Sequence, residues 1–277
     1  MPVRIVQSKQ NARLKQLRRA LAQPGRDSGE MAGIEGPKLL EEAIRAGLRV
    51  ICVFVAQGSE NLRQVRALPA ETEILLLPKE LLDSALTTEA PQPVAALVEQ
   101  PDWTWAHVLG ERKDAALVVV VAGIQDPGNL GTILRSAEAF GADGVIALPG
   151  TVSAWNPKCV RASAGSVFRV PLIATSVPEC FTNLREAGAR ILTTMVEAAE
   201  PVDTVDLTGP VALILGNEGN GVPDVVARQA DEKVTIPCPG AVESLNAAVA
   251  ASVMLYEAAR QRREQEIKIR GRRGGRR

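Results

Sequence analysis

Residues 117–124 read Leu-Val-Val-Val-Val-Ala-Gly-Ile, and no other stretch of the 277-residue chain restricts the fold so tightly. Four consecutive valines are stiff at χ1 and suit a pleated surface better than a helix. The run is far too short to cross a bilayer, and turn residues follow it at once: Gly123, Asp126, Pro127 and Gly128. The pattern predicts a buried strand over 116–122 that empties through a Pro-Gly turn into a helix over 129–140. The same alternation recurs downstream, with strands expected at 144–148, 190–195, 211–215 and 233–236, and helices at 178–187 and 243–263. This is an α/β pattern. The last helix carries small residues, Ala248, Ser252 and others, that permit close packing.

The first hundred residues repeat the theme on a smaller scale. Leu14, Leu17 and Leu21 share one face, predicting a helix over 3–22 that Pro24–Gly29 ends. A second helix is expected from Pro37, which suits a first turn, to Ala46, closed by Gly47. Strands at 50–55 and 73–77 flank a short helix at 62–67. The unit ends near Pro101, and 101–113 reads as a linker. Hydrophobic residues make up 46% of the chain but aromatics only 3%, so both cores must be built from Val, Leu, Ile and Ala.

Several chemistries are disfavoured by what is scarce. The polar, basic N-terminus resembles no secretion signal. Cys52, Cys159, Cys180 and Cys238 lie far apart, which suits reduced thiols of a cytoplasmic protein and neither a disulfide framework nor a zinc site. His107 is the only histidine and sits in the polar linker, so it reads as a surface residue; a histidine-based triad or metal centre has little to draw on. Formal charge is zero, yet basic residues crowd both ends: Arg4, Lys9, Arg13, Lys15, Arg18 and Arg19, then Arg270, Arg272, Arg273, Arg276 and Arg277. Phosphate binding follows local charge, so both ends are candidates for contact with RNA. The plainer reading is a solvated helix face and a frayed tail.

Three segments concentrate turn glycines and polar groups where a strand ends. The first is Asp126-Pro-Gly-Asn129-Leu-Gly131-Thr-Ile-Leu-Arg135, in which Asn129 can cap the helix. Arg135 lies six residues on, about 600° around the helix axis, so the two side chains point in different directions. Taken alone, this is equally an ordinary capped helix with an exposed arginine. The second is Leu213-Ile-Leu215-Gly216-Asn217-Glu218-Gly219-Asn220-Gly221. Its glycines let backbone approach an extended ligand but are in the wrong order for a dinucleotide fingerprint, and no phosphate-loop motif occurs anywhere. A tight turn with a solvated Glu218 is the alternative. The third is Ile236-Pro237-Cys-Pro-Gly240-Ala-Val-Glu-Ser244-Leu245-Asn246, a loop entering a helix whose amides could hold an anion, or which Glu243 or Ser244 merely caps.

Taken in this order, about 85 and 25 residues apart, the three segments resemble the motifs of the SpoU (TrmH-like) RNA methyltransferases of the SPOUT superfamily. Asn129, Gly131 and Arg135 match the first motif, Gly216, Glu218 and Gly221 the second, and Ile236, Pro237, Ser244, Leu245 and Asn246 the third. The stretch Asn156–Pro171 also resembles the family. Ile34-Glu35-Gly36-Pro37 and the helix to Gly47 resemble the substrate-binding domain often fused to such enzymes.

The resemblance implies three parts: an RNA substrate-binding domain at 1–105 with a basic N-terminal helix, a catalytic domain at 112–265, and a disordered basic tail at 266–277. It implies a parallel sheet with a deep trefoil knot, which strand patterning alone could never justify. It implies S-adenosyl-L-methionine held by Leu215, Gly216, Asn217, Gly219, Ile236, Pro237, Gly240 and Leu245, largely through backbone. Arg135, Asn129, Glu218, Ser244 and Asn246 are the expected catalytic and positioning groups. A cytoplasmic homodimer acting on RNA, with no metal and no membrane, completes the expectation. The expected reaction is methylation of a ribose 2′-hydroxyl, in ribosomal RNA because an N-terminal domain is attached. The rivals are a transfer RNA methyltransferase, a base-nitrogen methyltransferase, and an assembly factor that binds RNA without catalysis; an oxidoreductase is disfavoured by the missing fingerprint.

Overall fold

The computed structural model describes residues 2–24, 31–110, 115–195, 199–241 and 244–274, with backbone alone for 271–274. The break expected at Pro24–Gly29 therefore lies, beyond Pro24, outside the described residues, as do Glu243, Arg276 and Arg277. The chain divides into two compact units, Met1–Asp102 with Ser153–Arg169, and Trp103–Val152 with Val170–Arg277.

In the first unit β1 (Val3–Ile5) is followed by α1 (Ala12–Ala22), β2 (Met31–Glu35), α2 (Pro37–Arg45), β3 (Val50–Ala56), α3 (Arg63–Arg66), β4 (Glu73–Leu77), α4 (Lys79–Asp83) and β5 (Val94–Glu99). The five strands form one sheet in the order β1-β4-β3-β5-β2, with β5 antiparallel to both its neighbours and the rest parallel. Leu14, Leu17 and Leu21 are buried as the periodicity predicts, against Phe54, Leu75, Leu77 and Leu97. The expected helix over 3–22 needs correction at its start. Val3, Arg4 and Ile5 pair with Ile74, Leu75 and Leu76 as an edge strand, because Val-Arg-Ile favours extended backbone, and the helix begins only where Asn11 accepts from the Leu14 amide at 3.2 Å.

The second unit opens with α5 (Trp105–Leu109) and continues through β6 (Leu117–Ala122), α6 (Pro127–Ala139) and β7 (Gly144–Leu148). Next comes α7 (Pro157–Ala162), which belongs to the first unit. The remaining elements are β8 (Leu172–Ala174), α8 (Val177–Glu186), β9 (Arg190–Thr194), β10 (Glu200–Pro201), β11 (Val211–Gly216), α9 (Asp224–Ala227), β12 (Glu232–Thr235) and α10 (Ala247–Gly274). Seven strands, all parallel, lie in the order β10-β12-β9-β11-β6-β7-β8. Val118–Val121 are fully buried in the middle of it, each worth about 1.5–3 kcal/mol of burial. Aspartates anchor the strand starts: Leu117 and Ile191 donate their amides to Asp143 at 2.7 Å and Asp231 at 2.8 Å.

Residues 153–169 were expected within the catalytic domain, but they cluster with the first unit. Trp155 stacks on Phe168 with 6.0 Å between ring centroids, and Arg169 pairs with Glu42 at 2.8 Å. The tail expected to be disordered from 266 also differs. Helix α10 runs on to Gly274, because extending an existing helix through Glu, Gln, Lys and Arg needs no fresh nucleation. Among the described residues no helix is long and apolar enough to cross a membrane.

Candidate functional site

Strand β6 runs on to β7 at one side of the sheet, while β11 pairs with it on the other, so strand order reverses at β6. Ligands of open parallel sheets bind beyond the carboxyl ends at such a point. Val121 and Ala122 lie opposite Leu215 and Gly216, which places the first two turn segments side by side.

Asn217 joins them. Its Nδ2 donates to the Gly123 carbonyl at 2.8 Å, and its Oδ1 accepts from the Gly219 and Asn220 amides at 2.9 and 3.2 Å. Its backbone exchanges two bonds with Gly221, at 2.9 and 3.0 Å. The loop thus closes on itself so tightly that a Cβ on Gly216 would stand 2.1 Å from the Gly221 carbonyl carbon. Asn217, expected to touch cofactor, spends its side chain on this scaffold. Thr151, which the sequence reading missed, holds Gly123 as well: its hydroxyl accepts from the Gly123 amide at 3.1 Å and donates to Val121 at 3.0 Å.

Helix α6 starts two residues earlier than expected. Asp126, not Asn129, is its cap, accepting from the Asn129 amide at 3.0 Å. The correction frees the Asn129 side chain, which donates to Glu218 at 2.7 Å and accepts from Asn246 Nδ2 at 3.1 Å. Asn246 in turn caps α10, its Oδ1 accepting from Ala248 and Val249 at 2.9 and 3.3 Å. The capping expected of Ser244 is therefore done by Asn246. One residue from each of the three motifs stands in a single row, and its polarity is fixed from both ends. Helix amides demand an acceptor of Asn246, so its NH2 faces Asn129, whose own NH2 faces the carboxylate.

Beside the row opens a cavity of about 780 Å³, within the range of small-molecule sites. Of the expected residues, Leu215–Gly219, Ile236, Pro237, Ser244 and Leu245 line it. Gly240 and Asn246 do not, and neither do Asn129 and Arg135. Arg135 is exposed on α6 and forms no hydrogen bond or ion pair among the described residues. The sequence reading missed Met195 and Met254, which also line the cavity. The end of β9 could have been flagged only by knowing that this strand sits between β11 and β12. His107 is exposed and accepts from the Thr104 amide at 3.0 Å, a local capping role. No group of three or more metal-ligating side chains gathers among the described residues.

The sequence profile of the SpoU rRNA methylase family matches residues 116–256, and that of the MRM3-like substrate binding domain matches 11–96. The 23S rRNA (guanosine(2553)-2′-O)-methyltransferase RlmP of Bacillus subtilis is 30% identical over 251 residues, covering 91% of this chain and 97% of that protein. The SpoU methyltransferase AviRb of Streptomyces viridochromogenes, in complex with AdoMet, superposes with a TM-score of 0.82 at 32% identity, over 91% of this chain and 98% of that one. An AdoMet-bound rRNA methyltransferase from Sinorhizobium meliloti gives 0.81 at 30% identity, over 93% and 98%.

Proposed function

The chain belongs to the SpoU rRNA methylase family, and on that premise we propose that it transfers a methyl group from S-adenosylmethionine to a ribose 2′-hydroxyl of 23S ribosomal RNA. The observation that carries this reading is the Glu218–Asn129–Asn246 row, which unites three motifs at the rim of one cavity. The residues present fit the cofactor. Leu215, Ile236, Leu245 and Met254 offer apolar walls for a nucleobase, and the acidic residues Glu218 and Asp224 also line the cavity and suit a cationic ligand.

When bound, the sulfonium supplies an electrophilic methyl group. The chain supplies alignment, which is the main requirement of an in-line displacement. The loop of Gly216–Gly221 and the segment Ile236–Cys238 wall the cavity. The Asn129–Glu218 row and the exposed Ser244 hydroxyl present donors and acceptors to the incoming ribose. Arg135 is far too basic to remove a proton; it grips phosphate or polarises the hydroxyl. The assignment of these catalytic and cofactor residues is part of the proposal.

Val249, Val253 and Tyr256 leave an apolar strip exposed on α10, beside α6, which it meets through Ser136 and Ser252 hydroxyls 2.7 Å apart; this suits a homodimer. The bonds that tie Asn217 to Gly123 and Asn246 to Asn129 suit a trefoil knot. A role on ribosomal RNA suits the cytoplasm. The profile matches at 11–96 and 116–256 support a division of labour between an RNA-binding N-terminal part and a catalytic C-terminal part.

Comparing ribose methylation across 23S RNA from cells with and without the protein tests the reading. One 2′-O-methyl group absent from the deletion strain, and restored by the purified protein with S-adenosylmethionine, is the expected result. A missing mark on transfer RNA, or on a base nitrogen, would refute it.

The cavity makes a separate prediction. Burial pushes the thiols of Cys52, Cys159 and Cys180 up to about 12, with Glu73 and Glu179 reinforcing the first and last, so they stay protonated and inert. Cys238 is half-buried and lines the cavity. A thiol reagent should label Cys238 alone in the folded protein, and saturating S-adenosylhomocysteine should slow that labelling at least tenfold, as followed by peptide mass spectrometry. Labelling indifferent to the nucleoside would place the cofactor elsewhere.

A further inference from the structure

Helix α10 is longer than its packing requires. It starts at Ala247, capped by Asn246 at the carboxyl ends of the strands, and is pinned at the opposite ends by Arg262. That guanidinium donates to the carbonyls of Leu207 at 3.0 Å, Gly209 at 2.8 Å and Ala116 at 3.3 Å, and also to Ala115. These residues immediately precede β11 and β6. Gln261 adds bonds from its Nε2 to the Val205 carbonyl at 2.9 Å and from the Leu207 amide to its Oε1 at 2.8 Å. Sixteen residues at 1.5 Å each carry the helix about 24 Å from the row of polar groups to this clamp. Beyond it every described side chain from Arg263 to Arg270 is exposed, and the helix continues about 18 Å further, to Gly274.

The first turn beyond the clamp carries Glu264 and Glu266, and the charge that follows is all basic. Residues 267–277 hold Lys268, Arg270, Arg272, Arg273, Arg276 and Arg277 and no acidic residue. The carboxylate of Glu264, just before, is taken up by Arg260 at 2.6 Å. Ile267 and Ile269 are 63% and 46% exposed, but two positions apart they face about 200° away from each other. No apolar stripe forms that could seat on a bilayer or a second helix. Dense positive charge without an apolar face complements a polyanion.

We propose that this projecting arm is a second RNA contact, gripping phosphates of the substrate at a point remote from the reacting ribose. It rests on the RNA-directed function above and extends it. The arm reads no sequence: it adds affinity and orientation to a long RNA through counterion release, and contributes nothing to the cofactor cavity or to the chemical step.

The test replaces Lys268, Arg270, Arg272 and Arg273 together by Gln, which keeps helix propensity and removes charge, alongside a chain ending after Arg263. Binding to a 23S rRNA transcript and to poly(U) is measured across a salt series, with methylation kinetics on the transcript. For both variants we expect affinity to fall at least on the order of tenfold, with the salt slope shrinking by about 3 in the Gln variant and by about 4 in the shortened chain. KM for RNA should rise while kcat, S-adenosylmethionine affinity and melting temperature stay unchanged. Unaltered RNA affinity and slope in a folded variant would overturn the arm and leave the methyltransferase standing. Failure of the full chain to bind either RNA would overturn both.

Discussion

Replacing Arg135 by Ala should cut kcat about 10²–10³-fold and leave S-adenosylmethionine affinity within about twofold of the parent, because the residue is exposed on α6 and does not line the cavity. The two halves of that expectation come from different observations. Arg135 is absent from the cavity lining, so cofactor affinity has no reason to respond. It is also exposed on α6, on the helix that presents Asn129 to the other two motifs. A guanidinium held there without a partner among the described residues keeps its donors for an incoming phosphate or hydroxyl, and charge-assisted bonds of this kind are worth about 1.5–3 kcal/mol each. Arg135→Lys should recover only part of the rate, since a lysine keeps the charge and loses the planar fork. Single-turnover assays with saturating RNA, paired with calorimetry for the cofactor, check both halves. Parent-like turnover by the Ala variant would remove Arg135 from the mechanism; lost cofactor binding would make it part of the cavity wall.

How much of this was legible beforehand depended on the range of the interactions involved. Val118–Val121, the leucine face of α1 and the starts of most strands are local patterns, and the structure matches them. The N-terminal strand was misread as helix because its stability comes from pairing with Ile74–Leu76, seventy residues away. Short strands such as β8 and β10, and the small helices α7 and α9, carry too few residues for any period to show. The site divides in the same way. Glycine density marked the second motif, and the three-motif order marked the family. No spacing rule could reveal that Asn129 is released from capping by Asp126, since both residues are good caps. The row that follows links positions 89 and 117 residues apart, and such pairings are visible only in three dimensions. Met195 and Thr151 were missed for that reason too.

The tightness of the second loop leads to the other large effect. Gly216→Ala should weaken S-adenosylmethionine binding at least 100-fold and lower the melting temperature by several degrees, while Gly219→Ala, three residues on, should leave stability nearly intact. At Gly216 an added methyl meets the Gly221 carbonyl carbon at 2.1 Å and the Val222 nitrogen at 2.2 Å. Both are backbone atoms with no rotamer to escape into, so the Asn217–Gly221 bridge must open. Opening it costs more than one hydrogen bond. Asn217 loses its hold on Gly123, and Glu218 is drawn away from Asn129, so the first and second motifs separate together; a destabilisation of about 3 kcal/mol or more is expected from such a clash. At Gly219 the nearest atom to an added Cβ is the Asn217 Oδ1 at 3.5 Å, ordinary contact, with no positive φ to forbid a side chain. Calorimetric unfolding and cofactor titration of the two variants separate scaffold from contact. If Gly219→Ala keeps its melting temperature but loses cofactor affinity, that glycine faces the ligand directly. Normal affinity in Gly216→Ala would mean the closed loop is not what shapes the cavity, and the case for a cofactor seat built on backbone would fail with it.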